Sequence, residues 1–428
     1  MGRAAACRLA GALTMRLPLT YRLAAFTGSA NLIGGAHMPF FPSWMASEGL
    51  SPTDIGLVIA LMGAIRVFTG PLMSFAADAA ERQRSVIILL TAAAALSYAA
   101  YFLSSGFAWI LAWSLATSAA WSAISPLFES ITLRSAQAHG FEYGRVRLWG
   151  TAAFIAANVL SGQLVQAFGI GVFLPFITTA GLLTFLAAFG VPQLPPLSQA
   201  KPRKRDQARS ALALARHPAF LLFIGAAACA QAQHGFYYGF ATLDWKAQGF
   251  SAALTGVLWA IGPIAEIVLF WYGARVQGAF SAPFLLMLAG AAGVAKWTIM
   301  AFQPPLWVLF PVQALHAGTF AAAHLGAMQF LLRAAPPGLA ATGQAVYAAL
   351  TYGVFMAVSQ YLSGHLFHAF GAGGYLAMSG FAATALILAL VLGRVWSGAP
   401  LLEPPVEAGP ASQPNGVPPV PLTLKSDG

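Results

Sequence analysis

The sequence predicts an all-α integral membrane protein of twelve transmembrane helices, arranged as two parallel six-helix halves. Three observations predict it. Only 8% of the 428 residues are charged, 58% are apolar and mean hydropathy is +0.72, against roughly 25% charged residues in a soluble domain. Windows of about 20 apolar residues, the length that crosses a bilayer, recur along the chain. The chain is also written twice: Leu160 to Leu174 (LSGQLVQAFGIGVFL) returns as Leu362 to Leu376 (LSGHLFHAFGAGGYL), with nine of the fifteen positions identical. At an offset of 200, Gly49, Ser51, Gly56, Ala60 and Arg66 meet Gly249, Ser251, Gly256, Ala260 and Glu266. Trp109 and Arg134 bracket one segment much as Trp307 and Arg333 bracket another. Halves repeated in the same direction place a binding site near the midplane between them.

The expected spans, in order, are 18–44, 51–74, 85–103, 107–135, 146–168, 170–190, 218–245, 251–272, 280–302, 305–333, 339–369 and 373–396. The first follows an arm, 1–17, whose three arginines and short apolar stretches lack a convincing cleavage site and so do not make a signal peptide. The second opens on the cap Ser51-Pro52-Thr53-Asp54, and the eighth repeats its serine as Ser251. Spans one to six form an N-terminal half, 18–190. A linker, 191–217, follows; VPQLPPL and the run KPRKR make it polar and broken by proline. Spans seven to twelve form a C-terminal half, 218–396. The tail, 397–428, is rich in proline with little to bury, the composition of a disordered segment.

The net charge of +10 would suggest a nucleic-acid partner in a soluble protein, but its placement makes it a topology signal instead. With the N-terminus inside, nineteen lysines and arginines fall on the cytoplasmic side and only Lys246 outside. That is the positive-inside bias, and it puts both termini in the cytoplasm. The implied partner is the lipid bilayer, with no nucleic acid and no demand for more than a monomer. Cys7 and Cys229 are too few for a disulfide framework or a thiolate metal site. No HExxH, metal-ligand spacing or nucleotide loop occurs, so no enzyme, metal or cofactor is expected.

Polar residues inside the spans carry the functional signal, because an ionised side chain at the bilayer centre costs roughly 2.5–3.5 kcal/mol on insertion scales. Arg66 lies about 22 Å along the second span, at 1.5 Å per residue. Glu266 sits at the same depth in the eighth. The opposite charges suit either a bridge between halves that depends on conformation or separate partners, for instance Arg66 with Glu129. Span four carries Ser118, Ser122, Ser125 and Glu129 on one face; span ten carries Gln313, His316, Phe320 and His324; span seven carries Gln231, His234 and Tyr238, with Gln233 and Tyr237 alongside. Such stripes line a cavity or hold helices together by hydrogen bonds. His37 is a gate or a buried polar filler. Lys296, about six residues from the outer end of span nine, is close enough for its stem to snorkel outward. Asp244 and Lys246 border the outer entrance.

Several segments together resemble one family. They are Tyr143-Gly144-Arg145-Val146-Arg147-Leu148-Trp149-Gly150, His234 with Tyr237-Tyr238-Gly239-Phe240, Ala265-Glu266, and His316-Ala317-Gly318-Thr319-Phe320 with His324-Leu325. With the twelve spans and basic linker, they resemble the phenylpropionate permease branch of the major facilitator superfamily and, more distantly, its nucleoside:proton symporters. The loop after span two resembles the superfamily signature in reduced form, through Asp78, Arg82 and Arg84, with Ser74 where a glycine is usual. The resemblance implies the major facilitator fold and rocking-halves transport of a small molecule, with Asp78, Arg82, Arg84, Arg145 and Arg147 as the gating-loop set. It further implies proton-coupled uptake of an aromatic carboxylate such as 3-phenylpropionate. Protons would be carried by Glu266, with Glu129, His316 and His324 as relays or gates. Substrate would be held by Arg66, Gln231, His234, Tyr237, Tyr238, Gln313, Phe320, Trp259 and Trp121, the aromatic rings supplying the walls. A nucleoside or sugar symporter, an exporter, and a membrane sensor that binds without transporting remain open on the same scaffold.

Overall fold

The computed structural model describes residues 17–79, 82–103, 105–194, 212–335 and 339–402, which are largely helical, with no strand. Helices cover all twelve expected segments. They are α1 (Leu19–Ser47), α2 (Pro52–Ala79), α3 (Gln83–Ala100), α4 (Phe107–His139), α5 (Tyr143–Phe168) and α6 (Phe173–Ala188). After the linker come α7 in two pieces (Pro218–Ala232 and Gly235–Ala247), α8 (Ala252–Trp271) and α9 (Ala282–Ala301). Then follow α10 (Leu306–Ala314 and Ala322–Ala334 around a π-helical turn, Ala317–Ala321), α11 (Ala340–Ala348 and Met356–Phe370 around a second, Ala349–Phe355) and α12 (Tyr375–Val395).

Length and hydropathy alone select ten spans among the described residues. Two features separate ten from twelve. The tight turn Gly371–Gly374 lets α11 and α12 run together as one apolar stretch, Thr342–Val395, and α1 carries Thr27, Ser29, Asn31 and His37. The expected arm 1–17 except Leu17, residues 195–211 of the linker, the tail beyond 402, Cys7 and the side chain of Asp78 lie outside the described residues.

The repeat is structural as well as written. Gly49 and Gly249 turn the chain into α2 and α8 with φ of +87° and +86°, a backbone region that favours glycine. At α2, Ser51 and Asp54 cap reciprocally, Ser51 N–H donating to Asp54 Oδ2 at 3.1 Å and Asp54 N–H to Ser51 Oγ at 3.2 Å. At α8, Ser251 Oγ accepts from Leu254 N–H at 3.2 Å.

Within the first six helices α1 packs on α5 and α6, and α4 on α2 and α3; within the last six α12 packs on α7 and α9, and α10 on α8 and α9. Across the middle, α2 meets α11, α5 meets α8 and α1 meets α7. The first two of these are repeat counterparts, and both close on glycine. A Cβ on Gly56 would lie 2.8 Å from Gly364 Cα, and one on Gly162 would lie 2.7 Å from the Ala252 carbonyl and 3.1 Å from Gly256 Cα. Both contacts lie at the end where α2 and α8 begin, which we call the sealed end. Elsewhere the surface is apolar: Phe68, Leu72, Leu96 and Trp271 face outward, and the repeat-related Trp109 and Trp307 are 59% and 76% exposed at the starts of α4 and α10. Rings at these depths fit the interfacial belt of a membrane protein.

Candidate functional site

Three of the last six helices are interrupted, α7, α10 and α11, of which α7 and α11 also meet the first six, and the interruptions position polar side chains. α7 breaks at Gln233–His234. The carbonyl of Ala232 freed by the break accepts a 2.6 Å hydrogen bond from Ser359 Oγ on α11, which satisfies a buried acceptor. Gly235 lets Ser359 come this close, since any Cβ there would collide with its hydroxyl. The π-helical turn of α10 begins immediately after His316; such turns re-aim side chains and gather at functional sites. Broken helices at the repeat interface are the sites where transporters bind.

A cavity of about 770 Å3 runs between the two groups of six, from His37 and Phe41 on α1 down α2 and α11 to Ser74 and Ala345. Its walls include Met38, Met62, Tyr238 and Tyr352. His37 stacks on Phe41 at 4.2 Å between ring centres. A second chamber of about 380 Å3 opens beside it among α1, α2, α4 and α5, lined by Asn31, Trp121, Ser125, Glu129, Tyr143 and Arg147. Arg66 lines both chambers. Neither of its expected partners is in place: no ion pair to Arg66 occurs among the described residues, and Glu129 accepts a 2.8 Å hydrogen bond from Tyr143 Oη. The guanidinium is therefore presented to the cavity.

The most concentrated polar cluster lies behind Tyr238. Glu266 Oε1 is 3.2 Å from His316 Nε2, and His316 Nδ1 is 3.4 Å from Lys296 Nζ. Lys296 corrects the sequence expectation: it does not snorkel outward but is 0% exposed, with its ammonium 4.8 Å from the ring centres of both Tyr237 and Trp297. Two aromatic faces supply the attraction that water would have supplied, and the lysine stem spans inward because α9 turns this face toward α10. Since an ammonium only donates, His316 accepts at Nδ1 and presents Nε2–H to the carboxylate. His234 donates Nδ1–H to the Gln231 carbonyl at 3.0 Å and meets Thr319 Oγ1 at 3.0 Å. Its ring stands 5.7 Å from Tyr238 and 5.0 Å from His316. Phe320 stacks on His316 at 5.6 Å.

The remaining expected residues are spread more widely. Trp259 donates to Thr242 Oγ1 at 3.0 Å and backs Tyr237 at 4.5 Å, one layer behind the cavity wall. Gln231 and Gln313 are buried, Gln313 donating to Met300 Sδ at 3.6 Å. His324 lies away from the Glu266 cluster, edge-on to Phe270 at 6.1 Å. On α4, Ser118 donates to the Met62 carbonyl at 2.6 Å and Thr69 donates to Ser122 Oγ at 3.0 Å, so these serines both bind α2 and line the cavity. Of the gating-loop set, Arg84 Nη2 donates to the Phe189 carbonyl at 2.9 Å near the end of α6, Arg82 is exposed, and Arg145 pairs with Glu142 at 2.8 Å on the surface. Arg147 instead lines the smaller chamber. Sequence reading missed Tyr352 and Gln360 on the cavity wall, both intramembrane polar residues on the span that repeats α5.

A family model described as MFS_1 like matches residues 30–376. The chain belongs to this major facilitator family. As a member of the MFS_1-like family it is an integral membrane transporter of small molecules. It is 30% identical over 358 residues to a probable 3-phenylpropionic acid transporter of Escherichia coli (strain K12), covering 83% of this chain and 93% of that one. It is 28% identical to a maltose permease of Geobacillus stearothermophilus, over 75% of this chain and 80% of the relative. Among solved structures, the nucleoside transporter NupG (D323A mutant) superposes with a TM-score of 0.77 at 17% identity, covering 88% of this chain and 99% of that one. The likeness to NupG is one of fold.

Proposed function

We propose that this MFS_1-like transporter imports a small aromatic carboxylate, with 3-phenylpropionate as the first candidate, together with a proton. It works as a monomer in a bacterial inner membrane with both termini in the cytoplasm, so that the sealed end faces outward. The observation that carries the reading is Arg66: a guanidinium with no acidic partner among the described residues, at the junction of an apolar-walled chamber and a polar one. A carboxylate satisfies it by a charge-assisted, bidentate bond. The rings of Phe41, His37 and Tyr238 receive the apolar body of the substrate. The probable transporter of a 3-phenylpropionic acid among its relatives fits the same chemistry.

Glu266 carries the proton. With Lys296 charged and Glu266 ionised, His316 lies between them as a neutral ring. Proton uptake adds one proton from outside to the Glu266 carboxylate, which leaves Lys296 charged and His316 neutral. The charge of that proton and the charge of the substrate carboxylate at Arg66 cancel, so the loaded carrier bears the same net charge as the empty one when the halves rock. Glycine contacts at the outer ends of α2–α11 and α5–α8 form the outer seal in the inward-facing state.

The polar chamber supports a second reading, in which hydroxyls of a nucleoside or sugar meet Asn31, Ser125 and Glu129. The test is uptake of labelled 3-phenylpropionate into proteoliposomes with and without an inward proton gradient, with an uncoupler control. Gradient-dependent accumulation is expected. Accumulation displaced by uridine or maltose and not by aromatic acids would overturn the substrate class.

A further inference from the structure

We propose that the outer seam holds a second binding site, for an amphipathic monocarboxylate arriving from outside, and that its occupant keeps the seam closed. The site is a cavity of about 350 Å3 between the end of α1, the end of α5, the end of α7 and the start of α8. This lies within the range of small-molecule pockets. Three observations on different elements define its ligand.

Lys246, at the end of α7, lines the cavity, is exposed, and makes no ion pair among the described residues. It is also the one basic residue that the charge distribution leaves outside. The N-terminus of α8, a helix of 20 residues, opens into the same space, and its Ala252 N–H already draws in an acceptor, the side-chain oxygen of Gln166 at 3.1 Å. Ala252 N–H and Leu254 N–H are taken, by Gln166 and Ser251, but the positive end of the helix still favours an anion beside it. On the opposite wall Ser43 is only 7% exposed, and its hydroxyl has no hydrogen-bond partner, a cost that a ligand oxygen would remove. The other walls are Phe40, Val165, Ile170 and Phe250. One cation, one hydroxyl, the positive end of a helix and four apolar side chains specify a single carboxylate on an apolar body.

Phe40, Ser43 and Gln166 belong to the first six helices; Lys246, Phe250 and Ala252 belong to the last six. Separation of the two groups at this end divides the site. A ligand that binds only the closed seam stabilises it, by mass action, in proportion to its occupancy. Excess external carboxylate therefore slows the return of the empty carrier and lowers uptake. The ligand chemistry follows from the cavity alone; that it arrives from outside rests on the orientation proposed above.

The test is equilibrium dialysis of labelled 3-phenylpropionate against the purified full chain in detergent. Wild-type protein is expected to bind two equivalents, Arg66→Ala one and Arg66→Ala/Lys246→Gln none, with Lys246→Gln weakening the outer site about ten-fold or more. Binding unaffected by Lys246→Gln overturns the outer site. One equivalent in wild type, lost in Lys246→Gln and untouched by Arg66→Ala, keeps the outer site and overturns the central one. As a second readout, spin labels at Ser47→Cys and Ala247→Cys, exposed ends of α1 and α7, report the seam in the Arg66→Ala background. Saturating 3-phenylpropionate should increase the short-distance population only when Lys246 is present. Separation of the labels would refute closure by the ligand.

Discussion

Replacing Gly56 by alanine tests the seal directly. The new methyl would lie 2.8 Å from Gly364 Cα, 2.9 Å from Gly364 N and 3.0 Å from the Gln360 carbonyl oxygen, whereas ordinary contact begins at 3.4 Å. The neighbours are backbone atoms, so relief requires α2 and α11 to part by about 0.6 Å where they are closest. Overpacking of this kind costs about 1–3 kcal/mol. Alanine also favours helix over glycine, by about 1 kcal/mol, but it does so in both conformations and cancels from the equilibrium between them. The sealed state should therefore lose about 5- to 150-fold in population relative to the open one. Gly256→Ala acts at the symmetric α5–α8 contact, where the added Cβ would collide with the Asn158 carbonyl oxygen, and should add its own effect because the two sites share no partner. The assay is labelling of Met38→Cys, on the central cavity wall, by a membrane-impermeant maleimide applied from outside. Labelling should rise for each variant and further for the pair. Unchanged labelling in Gly56→Ala/Gly256→Ala, in protein of normal thermal stability, would refute the idea that these glycines hold the outer side shut.

Three further outcomes follow from the central site. Glu266→Gln should abolish proton-driven accumulation while counterflow exchange stays measurable; uphill uptake at the wild-type level removes Glu266 as the carrier. Arg66→Ala should raise KM for aromatic acids about 10- to 150-fold, the worth of a hydrogen bond to a charged group, and change KM for the corresponding amides far less; equal losses would make Arg66 structural. Lys296→Met keeps the length of the side chain and removes the charge, so gradient-driven uptake should be lost, with a stability cost of about 3–5 kcal/mol for the buried partner removed. A large drop in Tm with coupling intact would reassign Lys296 to packing.

Much of the architecture was legible before any coordinates. Apolar windows and the written repeat place the twelve long segments, because a segment in lipid must satisfy its backbone internally and a 20-residue apolar stretch has few alternatives. The repeat even marks the seal: Gly56 with Gly256 and Gly162 with Gly364 are visible as matched positions, although their pairing across the interface is not. Charged and polar residues within spans likewise marked Arg66, Glu266, His316 and Tyr238, since each carries a desolvation cost that packing alone does not require.

Tertiary structure decided which of those residues meet. Periodicity defines the face of one helix and is silent about its neighbour, so Lys296 read as a snorkelling side chain until α9 and α10 brought it beside His316. For the same reason Glu129 looked like a partner for Arg66, yet the start of α5 supplies Tyr143 instead. The break at His234 meets hydroxyls contributed by other helices, Ser359 at the Ala232 carbonyl and Thr319 at the His234 ring, and no signal local to α7 encodes them. Composition and repeat thus determined the membrane fold and its two-fold plan. The partners of each buried charge, and with them the chemistry of the cavity, depended on helix-to-helix distances of a few ångströms that exist only once the twelve segments have packed.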